Sequence, residues 1–386
     1  MIAKYRAETI DIEDVEYEEA DLEEDVLFTT IGHLGSASIV PLGFGEANMN
    51  QNFVKMTIDK NKINPYYLTT YLNSKVARKQ VNMLLTGNIQ SLLTYPKIKN
   101  IQIIIPKSGN IQEKIEIMLK KAFELQNEAM NLINNTLLKF NTMLNVNKSN
   151  INNKFYSIYF EELNSSPIWL PKYFLPTAIS IENQIRNKFK CVDLSTIAYM
   201  FSGDEPGSDA YIDYLDITDD EIPFVRTSDI YNNQLDLFPD NYIDAATFNE
   251  FAQNIKNGDI LFTKDGKIAE IAMVTSQDCA FMQSGIEIVR INEEGLKLDL
   301  TQEYLFLCMA SEYLGKNTAN RYTVTASTIP HLKEKNIGKM PVPLIPVKLI
   351  KEFSNDIKKA FDMLGKKKKL IKECRSIVNN IIKLKV

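Results

Sequence analysis

Few residues of this chain are placed for covalent chemistry, and each candidate fails on its spacing. Asn64-Pro65-Tyr66-Tyr67 is close to the Asn-Pro-Pro-Tyr loop with which amino-methyltransferases hold a target amino group and stack a flipped base. Tyr66 stands where the second proline belongs, and no Gly-rich loop follows a strand to hold S-adenosylmethionine. A helix start with proline in its first turn accounts for the same residues. Histidine is limited to His33 and His331, without the neighbouring ligands that zinc requires; His331, after Thr328 and Pro330, reads as a helix-start residue. Asp219 with Asp220, and Glu161 with Glu162, lack the Asp and Glu-x-Lys constellation of a metal nuclease and read as solvated faces. Cys191, Cys279, Cys308 and Cys374 show no CxxC spacing, so neither a disulfide framework nor a thiolate zinc site is expected, and four buried, reduced thiols are. No metal site and no cofactor are expected on this chain.

The elements that carry these residues must form two or three domains, because 386 residues exceed one typical core. A hydrophobic content of 45% and a charged content of 24% suit a soluble globular protein. No uninterrupted apolar run approaches the roughly 18 residues of a membrane span, and the N-terminus has no apolar secretory segment, so a cytoplasmic protein without membrane contact is expected. The net charge of -5 is unevenly placed. Eleven acids and no base fall between Glu8 and Asp25, while only Lys4 and Arg6 of the 44 basic residues precede that block. Beyond residue 25, therefore, 38 of the 49 acids face 42 bases. A slightly basic body permits a polyanionic partner, since phosphate contact follows local surface charge rather than the net value.

The chain is one unit written nearly twice. "EDVLFTTIG" from Glu24 matches "GDILFTKDG" from Gly258, "YLTTYLNSK" from Tyr67 pairs with "YLFLCMASE" from Tyr304, and "KKAF" recurs at Lys120 and Lys358. The offsets stay between 234 and 238, an order that chance similarity of helices would not keep. Each copy runs from a short β segment ending in Thr and Gly through a strand-rich stretch to a helix and a polar turn. A β run ending in proline follows (Ile101 to Pro106; Ile337 to Pro343), and then a long helix. About 90 residues, Trp169 to Lys256, precede the second copy's first strand and only about 25 the first's, so the first module reads as shortened.

Both terminal helices carry heptads. Ile111, Ile115, Met118, Ala122, Leu125, Ala129 and Leu132 form one seam; Ile350, Phe353, Ile357, Ala360, Leu364, Lys367, Ile371, Cys374, Val378 and Ile381 form the other, with one basic interruption. Such stripes are too long for a compact core, and the two helices are expected to pair as a spacer.

This order of parts resembles the DNA-specificity subunits of type I restriction-modification systems. The residues that carry the resemblance are "NGDILFTKDG" at Asn257 to Gly266, "IPFVRTSDI" at Ile222 to Ile230, "NPYYLTTYLNS" at Asn64 to Ser74 and "LLTGNIQSLLTYPKIKNIQIIIP" at Leu84 to Pro106, with "WLPKYFLP" at Trp169 to Pro176 opening the second module. The resemblance covers nearly everything from about Asp25. It implies an α+β fold of two mixed α/β target-recognition domains, the first incomplete, separated and followed by long helices forming an antiparallel coiled coil. The expected bounds are 1–108 for the partial first domain, 109–150 for the first spacer helix, 151–345 for the second domain and 346–386 for the second spacer helix.

The function so implied is sequence-specific recognition of double-stranded DNA without catalysis. Methyltransferase subunits dock on the helices, a restriction subunit joins them, and S-adenosylmethionine, ATP and Mg belong to those partners. A second copy or a separate chain is a further partner, completing the first module. Two other readings stay open: the recognition half of a split or fused restriction-methylation enzyme, and a scaffold of another phage-defence complex. A methyltransferase frame running into Met1 would mark the fused enzyme.

Candidate DNA contacts come from polar, Gly-bearing loops between strands, because base edges are read by such side chains and glycine lets backbone approach phosphate. In the second module they are Arg226, Thr227 and Ser228; Thr263, Lys264, Gly266 and Lys267; Gln283 and Ser284; and Arg321, Tyr322, Thr325, Ser327 and Thr328. In the first they are Thr29, Thr30 and His33; Asn50, Gln51 and Asn52; and Asn88, Gln90 and Ser91. Ile115, Met118, Leu125, Leu132, Ile357, Leu364 and Ile371 are the expected partner-binding residues. The acidic block Glu8 to Asp25 is expected either to face away from DNA or to cover the cut in the first module.

Overall fold

The repeated "LFT" is the central strand of an antiparallel sheet in each copy. The computed structural model describes residues 23–44, 49–85, 92–106, 109–147, 155–166, 168–214, 216–217, 221–326 and 328–383. In the first copy Val26–Thr29 lies between Ala37–Ile39 and Phe53–Met56, antiparallel to both. In the second, Ile260–Thr263 lies in the same way between Ile271–Met273 and Ile286–Ile291. The hairpins turn alike. Ser36 N donates to Thr29 Oγ1 at 2.9 Å in one copy, and Glu270 N donates to Thr263 Oγ1 at 2.9 Å in the other.

The helix that follows is Pro65–Leu72 in the first copy and Gln302–Ala310 in the second. Asn64 Oδ1 accepts from Tyr66 N at 2.9 Å, and Thr301 Oγ1 accepts from Tyr304 N at 3.1 Å, so both helices start on a side-chain cap. The Asn64 to Tyr67 motif is thus a helix start. The Tyr67 hydroxyl donates to the Ile104 carbonyl at 2.6 Å, and the Tyr304 hydroxyl to the Pro343 carbonyl at 2.7 Å, which ties each helix to its proline-ended β run.

The second module has more. The helix Pro176–Lys188 leads into Cys191–Asp193, which pairs with Pro341–Pro343. Ala198–Ser202 then joins the central sheet against Ile286–Ile291. A separate outer sheet has the order Phe281–Met282, Ile222–Val225, Asn241–Ile243, Ile212–Asp213.

Each copy ends in a long helix, Gly109–Leu144 and Val347–Lys383, of 36 and 37 residues, or about 55 Å at 1.5 Å per residue. They run antiparallel. Ile115, Leu119 and Ala122 cluster with Ile371, Cys374 and Val378 at one end, and Phe140 meets Phe353 edge-on at 5.7 Å near the other. The second seam is buried from Ile350 to Val378, Lys367 included. The first seam needs a correction. Ile115, Ala122 and Ala129 are buried as expected, but Leu119, Ile133, Thr136, Phe140 and Leu144 complete the line, while Met118, Leu125 and Leu132 lie half-buried on its flank. Two 3/4 spacings share residues 115, 122 and 129, and contact with the second helix selects the one that contains Phe140.

Lys367 and Lys368 fasten two separate segments of the second module, the strand Gln234–Leu235 and the turn at Asp278, to the middle of its helix. Lys367 Nζ donates to Gln234 Oε1 at 3.0 Å, and Lys368 Nζ to Asp278 Oδ1 at 2.6 Å. Burial, with Lys368 beside it, pushes the Lys367 ammonium down to about 7. No helix among the described residues is long and apolar enough to cross a membrane.

Candidate nucleic-acid interface

In the second module four polar segments gather at one end of the central sheet. The turn after Ile260–Thr263 needs Gly266 at φ 66°, and its N–H donates to the Pro330 carbonyl at 3.0 Å, joining it to the hairpin Val324–Ala326 and Ile329–His331. His331 Nδ1 lies 2.6 Å from Asp265 Oδ1 across the same junction, so His331 ends a strand rather than starting a helix. At Gly285 a Cβ would come within 2.9 Å of Thr227 Cγ2 and 3.2 Å of the Asp265 Cβ. The missing side chain at Gly285 lets the segments around 227, 265 and 284 close on each other there. Ser228, Gly266, Lys267, Thr325 and Thr328 are exposed at this end, with Thr227, Gln283 and Ser284 half-buried among them.

Other candidates are engaged inside the protein. Thr263 is fully buried as the hairpin acceptor described above. Lys264 reaches back to Glu287 at 2.8 Å and to the Ser202 hydroxyl. Glu287 itself is fully buried, and desolvation raises its carboxyl against the pull of Lys264. Arg226 pairs with Asp240 at 2.9 Å, and its backbone N–H donates to Asp229 Oδ2 at 2.9 Å. Arg321 pairs with Glu182 at 2.6 Å and stacks 4.8 Å over the Tyr173 ring, and Tyr322, pushed up to about 12 by burial, lies against the same tyrosine. Arg321 thus ties the helix Gly315–Tyr322 to the helix Pro176–Lys188, and Tyr322 ties it to the short helix Pro171–Phe174.

The first module carries the same tip in reduced form. Thr29 is the hairpin acceptor, and the buried Thr30 donates to the Asn52 carbonyl at 3.1 Å. Asn50 and Gln51 are exposed and Asn52 is half-buried. His33, 12% exposed, stacks on Tyr214 at 4.2 Å, and its Nδ1 meets the Asp240 carboxylate. Asp240 thus takes both His33 of the first module and Arg226 of the second. Arg78, 3% exposed, lies 5.1 Å over the same Tyr214 ring and donates to its carbonyl at 3.3 Å. The first tip rests on the outer sheet of the second module. Nothing in the spacing of Arg78, Tyr214 or Asp240 points to this junction, which exists only once the modules are folded together. Asn88, Gln90, Ser91 and Ser327 lie outside the described residues, as do Asp219, Asp220 and most of the acidic block.

Of the partner-binding candidates, Ile115, Ile357, Leu364 and Ile371 face the opposite long helix and are buried within the chain. They cannot meet a partner while the helix pair is intact. Exposed apolar side chains on the first long helix are Ile117 and Leu138, at 61% and 66%. Cys308 and Cys374 are buried, Cys191 is half-buried and Cys279 is exposed, so the expectation of four buried thiols fails at Cys279, on the loop that carries Asp278. No group of three or more His, Cys, Asp or Glu side chains among the described residues could hold a metal ion.

Comparison with known proteins bears on this arrangement. No curated protein matches the chain. Among solved structures it is similar to the HsdS subunit from Thermoanaerobacter tengcongensis, at 14% identity and a TM-score of 0.33 over 94% of this chain and 80% of that one. It is also similar to the S subunit of a type I restriction-modification system from M. genitalium, at 13% identity and a TM-score of 0.38 over 95% and 83%. The family model for the type I restriction modification DNA specificity domain matches residues 9–139 and 187–373. With most of both copies of the repeated unit inside that match, the chain belongs to the type I restriction modification DNA specificity family and is a DNA-recognition subunit.

Proposed function

We propose that this chain reads DNA without catalysing any step, for a type I complex whose methyltransferase and restriction subunits do the chemistry with S-adenosylmethionine, ATP and Mg of their own. Double-stranded DNA lies against the exposed end of the second module. One observation carries this reading: Ser228, Gly266, Lys267, Thr325 and Thr328 are brought from separate segments to one exposed end. Hydroxyls and an ammonium on neighbouring loops are the groups that address base edges and phosphates. Methyltransferase subunits dock on the outer faces of the helix pair, where Ile117 and Leu138 are exposed, since the seams face inward.

The two lysines of the hairpin turn test this reading. Lys267→Ala weakens DNA binding and lowers the dependence of log K on log salt by about one phosphate's worth, a slope change near 0.9. Lys264→Ala leaves Glu287 buried without its cation, so it lowers the unfolding midpoint while the salt slope of the folded fraction stays unchanged. Titration of a duplex library at two salt concentrations, with a parallel thermal melt, separates the outcomes. An unchanged slope for Lys267→Ala would remove this end of the module from the DNA interface.

A further inference from the structure

The hairpin turn that carries Lys267 to the exposed end of the second module has a counterpart in the first, and the two copies use it differently. With "EDVLFTTIG" laid on "GDILFTKDG", Gly32 falls on Gly266 and His33 on Lys267. Both glycines adopt a positive φ, 77° and 66°, so the two turns bend alike. Lys267 is exposed, whereas His33 keeps only 12% of its side-chain surface. The second module supplies much of that cover. The His33 ring stacks on Tyr214 at 4.2 Å, and the Arg78 guanidinium, from the helix Lys75–Leu85, lies 5.1 Å from the centre of the same ring. Asn82 of that helix donates to Asp216 Oδ1 at 2.7 Å. On its own side the His33 carbonyl accepts from the Thr29 hydroxyl, so the hairpin holds the residue in place.

The contact leads on to a segment of the reading end. His33 Nδ1 meets Oδ1 of the Asp240 carboxylate, and Arg226 Nη2 donates to Oδ2 at 2.9 Å. An ionised carboxylate only accepts, so Nδ1 carries the imidazole proton. Asp240 is also tied through its backbone, its carbonyl accepting from Tyr214 N at 2.9 Å. Arg226 follows the strand Ile222–Val225 and opens the turn Thr227–Asp229, which its own N–H closes on the fully buried Asp229. Thr227, packed against Gly285, and the exposed Ser228 come next. One carboxylate thus joins the tip of the first module to the base of a segment that the second presents to DNA. Residues that contact a ligand need such a supporting layer, because a loop side chain left to itself samples several directions.

We infer that His33 is a positioning residue for base readout: through Asp240 it sets Arg226 and the segment Thr227–Ser228, so that the hairpin tip of the first module braces the reading end of the second instead of contacting DNA itself. The inference rests on the reading of that end as the DNA interface. It gives the shortened module a task in recognition, and it explains why the turn that bears a lysine in one copy bears a ring-stacked histidine in the other.

Selection from a randomised duplex library by the full chain tests the inference. Ser228→Ala relaxes the base preference at the motif positions that its segment reads. His33→Ala relaxes the same positions, lowering the ratio of preferred to other bases by about three- to tenfold. The slope of log K against log salt stays at the parent value, because His33 neutralises no phosphate. His33→Asn, whose amide N–H stands in for Nδ1–H, restores most of the lost preference. Destabilisation alone lowers the folded fraction without changing which bases that fraction prefers. A second measurement needs no variant at His33. The chain has two histidines, so isotope-labelled imidazole gives two resonances, and His331→Asn assigns them. The His33 signal is displaced by the Tyr214 ring in the free chain and moves again when a selected duplex is added. An unchanged preference in His33→Ala, relaxation at positions other than those of Ser228→Ala, or a His33 signal at the position of free imidazole overturns the inference. If Ser228→Ala and Lys267→Ala both leave DNA binding as it was, the interface itself is misplaced and the brace falls with it.

Discussion

Asp278→Ala lowers the stability of the second module by about 3–5 kcal/mol, because it leaves a buried ammonium without its counter-ion. Lys368 is 1% exposed and donates to both Asp278 oxygens, at 2.6 and 2.8 Å. Asp278 also accepts from Thr275 N at 2.8 Å and Thr275 Oγ1 at 2.7 Å, so the same carboxylate folds the loop and fixes it to the long helix. Lys367 adds to the cost, since its burial next to Lys368 already disfavours a second charge. The double variant Lys368→Met with Asp278→Ala recovers most of the loss, because an apolar side chain in the seam needs no partner. Denaturant unfolding of the two variants checks this. A single variant within 1 kcal/mol of the parent means that the helix and the module are not fastened at this point.

Phe140→Ala costs about 3–5 kcal/mol, the range for deleting a buried ring from a packed core. Its ring is 0% exposed and meets Tyr304 edge-on at 5.8 Å and Phe353 edge-on at 5.7 Å. Phe140 belongs to the first long helix, Phe353 to the second and Tyr304 to the second module, so one side chain closes three elements and neighbours cannot collapse into the space. Leu138→Ala, two residues away and 66% exposed, changes stability by about 0.5 kcal/mol or less. Equal effects of the two substitutions would contradict the inward line through Phe140.

The architecture was legible because its signals repeat. "VLFT" and "ILFT", the capped helix starts at Asn64 and Thr301, and the proline-ended runs recur in order, and each pair occupies the same place in its copy. The second seam was legible because its ten positions leave one register. The first was only partly so, since Met118 and Leu119, or Leu132 and Ile133, are equally apolar neighbours, and spacing cannot say which faces inward. The interface was legible as a set of loops but not residue by residue. Thr29, Thr263 and Lys264 have the composition of a reading surface, yet their polar atoms complete hairpins or offset a buried Glu287. Whether a polar side chain is satisfied within the fold is a three-dimensional property. The contact of His33 with Tyr214 and Asp240 joins residues some 180 to 210 positions apart, and no local pattern encodes it.

The claim that this chain chooses the DNA target is tested most directly by sequencing methylated bases genome-wide in cells that carry its methyltransferase partner, with and without this gene. One methylated motif is expected with the gene and none of it without, and Lys267→Ala reduces methylation at that motif. An identical set of methylated motifs in both strains would contradict that claim.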